Sequence, residues 1–135
     1  MTGFVSITTS SEVFYKGKEC QPTSVKFTAQ VTNPASVSFV LLFVRFKSKL
    51  TGVTSEWTDS IAMQSIGAGT YLHDLIPLEM KAVDSFENAW VQYQLVSTDS
   101  HGKKVAKTDI FDERLALLNC VATPTVSMTP TVMTP

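Results

Sequence analysis

The stretch Asn88–Lys103, NAWVQYQLVSTDSHGK, constrains the fold more than any other part of this chain. Val91, Tyr93, Leu95 and Ser97 alternate with Trp90, Gln92, Gln94 and Val96. A period of two is the signature of a strand with one face in a core. The run closes on Asp99-Ser100-His101-Gly102, a polar turn ending in glycine, and an apolar-polar run resumes at Lys104. This predicts a hairpin whose first strand is central in a sheet.

Other segments repeat the period. In Ser24–Thr32, Val25, Phe27, Ala29 and Val31 face one way and Lys26, Thr28, Gln30 and Thr32 the other, until Asn33-Pro34 stops the run. Val13–Tyr15 predicts a short first strand before the Lys16–Lys18 turn, and residues 2–12 an edge strand or an ordered lead-in. Val37–Phe46 is apolar on both faces: Val40, Leu42, Val44 and Phe46 on one, Phe39, Leu41 and Phe43 on the other. A sandwich strand needs only one apolar face. The second face either lies under a loop or the N-terminal segment, or meets another domain or subunit, because a monomer rarely leaves such a patch exposed. Trp57, Ile61 and Met63 mark a further strand or strand pair, Gly67–Gly69 a turn, and Thr70–Ile76 another strand. Residues 78–87 read as a long connection between sheets, and Lys104–Phe111 as the last clear strand. Leu115–Val121 is expected to return along a sheet edge.

The chain has 135 residues, 44% of them apolar and 17% charged, which fits one domain and excludes general disorder. A formal net charge of −1 offers no overall basic field for nucleic acid or anionic lipid. The longest apolar run, Phe39–Val44, is strand-sized and far below the roughly 18 residues of a membrane helix. The opening MTGFVSITTS lacks the basic start and long apolar stretch of a signal peptide.

Cys20 and Cys120 bracket the body of the chain, with no Cys-x-x-Cys pair to suggest zinc or a redox dithiol. Two readings stay open: a disulfide, or two buried thiols that never meet. Closing so long a loop would stabilise the fold by roughly 4–5 kcal/mol in the chain-entropy model. The adjacent tail, TPTVSMTPTVMTP from Thr123, favours the disulfide, because Thr/Pro segments are typical of extracellular linkers or O-glycosylated stalks. Thr123, Thr125, Thr129, Thr131 and Thr134 are the candidate glycosylated or docking positions, and Val126, Met128, Val132 and Met133 suit a docked strand.

Taken in order, FYKGKECQPTSVKFTAQVTNPASVSFVLLFVRF, EWTDSIAMQSIGAGTYLHDLIP, WVQYQLVSTDSHGK, a closing Cys120 and the Thr/Pro tail resemble the immunoglobulin-like or fibronectin-III-like modules of large secreted bacterial proteins. The resemblance spans Phe14–Pro135. It implies an all-β, two-sheet sandwich of roughly seven antiparallel strands, with a lead-in at 1–12, the sandwich at 13–122 and the tail at 123–135. In such modules one cysteine precedes the second strand and its partner follows the last, the places of Cys20 and Cys120. Phe39, Leu41 and Phe43 depart from the family's more polar third strand, and the TDSHG turn departs from its Asp, small residue and Gly-Asn pattern. The antibody-type bridge between second and sixth strands is absent, since Trp90–Asp99 holds no cysteine.

No GxSxG, HExxH, P-loop or GxGxxG motif is present. His73 sits mid-strand as a packed or edge residue. His101 adjoins Asp99 and Ser100, and three consecutive residues cannot converge as a triad. Asp109, Asp112 and Glu113, with Asp99, are the nearest approach to a calcium site, without the EF-hand pattern. Trp57, Trp90 and Tyr71 are candidates for a sugar-stacking platform. No cofactor, metal or catalytic residue is therefore expected. The resemblance implies a non-enzymatic extracellular or cell-surface module, structural or adhesive, whose partners are neighbouring domains or copies of itself, up to a surface filament. Phe39, Leu41, Phe43 and Trp90 are the expected contact residues. The alternative is a carbohydrate-binding accessory domain of a secreted enzyme.

Overall fold

A computed structural model describes residues 3–17, 19–80, 83–86 and 88–120. The chain is all-β apart from single 3-10 turns at Pro34–Ser36, Pro77–Glu79 and Val83–Ser85. Its strands are β1 (Phe4–Thr9), β2 (Val13–Tyr15), β3 (Val25–Val31), β4 (Phe39–Ser48), β5 (Ile61–Ala62), β6 (Gln64–Gly67), β7 (Thr70–Leu75), β8 (Ala89–Thr98), β9 (Lys104–Lys107) and β10 (Ala116–Leu118). They form two sheets. The smaller runs β1-β3-β7-β6, and the larger β2-β10-β8-β4-β5, with β9 also on β8.

The sheets face each other across one core, an arrangement compatible with a β-sandwich. From the smaller sheet come Val25, Phe27, Ala29, Val31, Tyr71 and Leu75; from the larger come Val40, Leu42, Val44, Phe46, Val91, Tyr93 and Leu95. These are the inward phases of the alternating runs, so period-two patterning and burial coincide. Phe27 meets Tyr93 edge-on across the core, with ring centroids 5.0 Å apart, and Tyr93 stacks on Phe111 at 4.8 Å. Each pair adds roughly 0.5–1.5 kcal/mol beyond its buried area. Burial holds the Tyr93 hydroxyl above its ordinary pKa, against the opposing charge of Arg114.

β8 is central, as its pattern predicts. It pairs along its whole length with β4, from Ala89↔Ser48 to Thr98↔Phe39, and carries β10 at one end and β9 at the other on its opposite edge. The N-terminal strand β1 is an edge strand on β3, and its Phe4 enters the core. It lies in the smaller sheet and does not cover the outer face of β4.

Three expectations need correction. The described residues hold ten strand segments rather than about seven, because two strands are interrupted. After β5 pairs with β4, the chain crosses at buried Met63, and β6 pairs with β7 in the other sheet. The last long strand ends at Lys107 instead of Phe111: Thr108 keeps one backbone bond to Leu95 O, residues 109 and 110 leave the ladder, Phe111 rejoins opposite Tyr93, and β10 resumes at Ala116. Finally, Leu115–Leu118 does not run along an edge. β10 lies between β8 and β2, and its pairing with β2 is parallel, so the sheets are not wholly antiparallel.

Cys20 and Cys120 are joined by a disulfide, with Cα atoms 5.6 Å apart and a separation of 100 in sequence. It ties the segment entering β3 to the segment leaving β10. Lys16, just after β2, donates from Nζ to the carbonyls of Val83 and Phe86 and so fastens this edge to the connection between sheets. Two glycines are required by close approach. A Cβ on Gly3 would overlap Ala106 Cβ, and one on Gly69, at φ +77°, would lie 2.7 Å from Pro34 Cγ.

Candidate functional site: the outer face of the larger sheet

The outward phases of β4 and β8 build one continuous surface, ordered by their register. Its cross-strand rows are Phe39 with Thr98, Leu41 with Val96, Phe43 with Gln94, Arg45 with Gln92, and Lys47 with Trp90. The surface is therefore apolar at one end and cationic at the other. Phe39 is 50% exposed, while Leu41, Phe43 and Val96 are half-buried. The free edge of β4 is closed by the following loop, since Ser55 N donates to Phe46 O and Thr58 N to Val44 O, both at 2.9 Å. That loop brings Trp57 beside the face.

The cationic end is tightly organised. Arg45 Nε donates to Gln92 Oε1 at 2.6 Å, and its guanidinium carbon lies 4.3 Å from the centre of the Trp57 ring. Lys49 Nζ lies 4.1 Å from the centre of the Trp90 ring. Both are cation–π contacts, in which the ring quadrupole attracts the charge. Lys47 Nζ bridges Asp112 at 3.0 Å and Glu113 at 2.9 Å. The hydrogen bond to Glu113, then that to Asp112, raises the Lys47 pKa. A hydrogen bond from Gln92, joined by those from Lys47, holds the Asp112 carboxyl below the usual carboxylate value.

A cleft of 380 Å³ opens between the two ends. Phe43, Val96, Trp57 and Thr58 line it together with Gln94, Lys104 and Lys107. Gln94 Nε2 donates to Thr108 O at 2.7 Å, which fixes its amide. Arg45, Lys49, Lys104 and Lys107 form no salt bridge with a carboxylate among the described residues. A larger recess of 780 Å³ lies between the 48–53 turn and residues 85, 86 and 88. Leu50, Val53 and Phe86 dominate it and, among the described residues, Lys49 is its one cation, so it offers a ligand fewer directed groups than the cleft.

The structure brings Phe39, Leu41 and Phe43 together, as their spacing predicts, and adds Val96. It does not bring Trp90 to them: the Arg45–Gln92 row intervenes. The three-ring sugar platform does not assemble either. Tyr71 is buried in the core, and its hydroxyl donates to Val37 O at 3.4 Å. His73 Nε2 lies 3.0 Å from Glu79 Oε2, and Glu79 Oε1 accepts from Ile76 N, so this pair shapes the turn after β7. Asp99 Oδ1 accepts from the backbone of His101 and Lys103, both at 2.9 Å, and serves the hairpin turn. Asp112 and Glu113 are committed to Lys47, and among the described residues no three His, Cys, Asp or Glu side chains converge to hold a metal ion. Also among the described residues, no helix is long and apolar enough to cross a membrane. Thr123, Thr125, Thr129, Thr131 and Thr134 lie outside the described residues.

Lys104, Lys107 and Val96 escaped sequence reasoning. The only signal was Val96, an apolar residue in the polar phase of β8. The lysines join it through an irregular register between Ser97 and Thr98 that no periodicity reveals. No protein-family model matches the chain, and a search of curated proteins finds no match.

Proposed function

We propose that this chain is a non-enzymatic, immunoglobulin-like module of an extracellular structural or adhesive protein, and that it contacts a copy of itself or a neighbouring domain through the outer face of β4. The observation that carries the reading is the apolar end of that face. Phe39 is 50% exposed beside Leu41, Phe43 and Val96, although the opposite phase of β4 alone supplies the core. Apolar side chains grouped on a sheet exterior favour burial against a partner. The immunoglobulin-like assignment is supported by strand order: a four-strand sheet β1-β3-β7-β6 faces a sheet in which β2 pairs in parallel with the final strand. The disulfide supports an oxidising, extracellular location.

Assembly into a surface filament is the form of this proposal that the tail favours, because Val126, Met128, Val132 and Met133 supply apolar points among its prolines. Sedimentation of the full chain over a range of concentrations tests both parts. Phe39→Ser is expected to abolish association through the β4 face. Deleting 123–135 with no change in assembly would remove the tail from it.

A second reading is favoured by one observation, the cleft in which Trp57 and Phe43 stand beside Gln94 and two lysines. It is carbohydrate binding, as an adhesive function or as an accessory domain of a secreted enzyme. Retention on a polysaccharide column that is lost in Trp57→Ala and kept in Phe39→Ser would favour it over protein contact.

A further inference from the structure

We infer that the cleft beside Trp57 binds an anionic saccharide, a sugar chain carrying carboxylates of the uronate type. The inference rests on the carbohydrate reading and adds the charge of the ligand. The chain as a whole carries a formal charge of −1, yet two lysines and an arginine fall at this cleft. Lys104 and Lys107 line the cleft, and Arg45 is held against Trp57 at its margin. None of these three forms a salt bridge with a carboxylate among the described residues, whereas Lys47, further along the same face, is met by both Asp112 and Glu113. Cations not engaged in salt bridges around a recess attract an anion.

The other wall groups favour a sugar over a different anion. A pyranose ring presents a flat face of C–H groups to an aromatic ring and a rim of hydroxyls to polar groups. Trp57 and Phe43 supply aromatic surface, and Gln94, fixed by its bond to Thr108 O, supplies a positioned amide. The Arg45–Trp57 contact and the Arg45–Gln92 hydrogen bond hold Trp57's neighbour in place before any ligand arrives, which lowers the ordering cost of binding. At 380 Å³ the cleft falls within the roughly 300–1,000 Å³ span of small-ligand sites. A stable protein partner instead needs a footprint of roughly 1,200 Å² or more. The cleft and the apolar patch share Phe43 and Val96, but Phe39 is not part of the cleft lining and can be changed without altering it.

The test is calorimetric titration of the full chain, at low salt, with tetragalacturonate, maltotetraose and a tetraglutamate peptide. Tetragalacturonate is expected to bind, maltotetraose and tetraglutamate to bind at least about tenfold more weakly. Lys104→Gln/Lys107→Gln should weaken tetragalacturonate about tenfold, as the loss of two screened charge contacts predicts. Both lysines are exposed, so this variant is expected to keep its fold, which circular dichroism checks. Trp57→Ala should also weaken the uronate, and Phe39→Ser should not. Equal binding of maltotetraose and tetragalacturonate would overturn the inference and leave the carbohydrate reading standing. Equal binding of tetraglutamate would overturn it in favour of a polyanion or acidic-peptide surface. No binding of any of the three would overturn both the inference and the carbohydrate reading.

Discussion

Where a partner strand departs, two hydroxyls stand in for the missing ladder. Thr108 Oγ1 accepts from Leu95 N at 3.1 Å, and Thr58 Oγ1 from Val44 N at 3.2 Å. A buried donor left without a partner costs about 1–3 kcal/mol, so Thr108→Val is expected to lower the unfolding free energy by that amount, read from urea denaturation. An unchanged midpoint would contradict the role. Ser97 presents the reverse case: among the described residues its Oγ is buried with no hydrogen-bond partner. Ser97→Ala should therefore be neutral or stabilising by up to about 1 kcal/mol. The Lys47–Asp112 pair makes a statement about pH. The Asp112 pKa is depressed on folding, so its contribution is present above the ordinary carboxylate value of 3.8 and is lost as pH falls through the folded value. The Lys47 pKa is raised, so its contribution is present below 10.5 and is lost as pH rises through the folded value. Both groups face solvent and the energy is small and salt-screened. A carbon-detected NMR titration should place Asp112 below 3.8, and a higher value would contradict the contact.

The elements that could be read from sequence are those whose burial follows a period. In β3 and β4 burial alternates from Val25 to Val31 and from Val40 to Phe46, and in β8 the inward residues Val91 to Ser97 are all buried, joined there by Gln92. The interrupted strands were not readable in the same way. Crossing between sheets at Met63 leaves β5 and β6 too short to show a period, and Thr108 replaces a ladder bond with its side chain, which hides the break in the last strand. The parallel β2–β10 pair joins residues about a hundred positions apart, and local patterning carries no information on such pairing. That pair sits beside the Cys20–Cys120 bridge. Replacing both cysteines with serine should cost about 2–5 kcal/mol in thermal unfolding, with β2 and β10 losing amide protection first. Unaltered stability, or protection lost first in β8, would show that the bridge does not secure this edge. The contact face was half legible: Phe39, Leu41 and Phe43 announce themselves as a second apolar phase on one strand. Trp90's distance from them depends on which residues of β4 and β8 stand opposite, and the cleft lysines on a local irregularity.

At the scale of the molecule, a nearly neutral chain groups exposed apolar side chains at one end of a sheet face. The core consumes one phase of each long strand. The outer face of the larger sheet then carries an apolar end around Phe39, a cleft beside Trp57, and a cationic end in which Arg45 and Lys49 rest on indole rings. Closure of the β4 edge by residues 55–58 means that contact there is made by side chains rather than by adding a strand. The central claim is that the Phe39 end of this face joins the chain to a partner of its own kind or a neighbouring domain. Its most direct test is sedimentation equilibrium of the oxidised full chain and of Phe39→Ser from micromolar to millimolar concentration. Association that strengthens with concentration in the native chain and disappears in Phe39→Ser is the result expected for self-contact. A native chain that associates as strongly with serine at position 39 would contradict it, and a monomer throughout would restrict the face to a different partner.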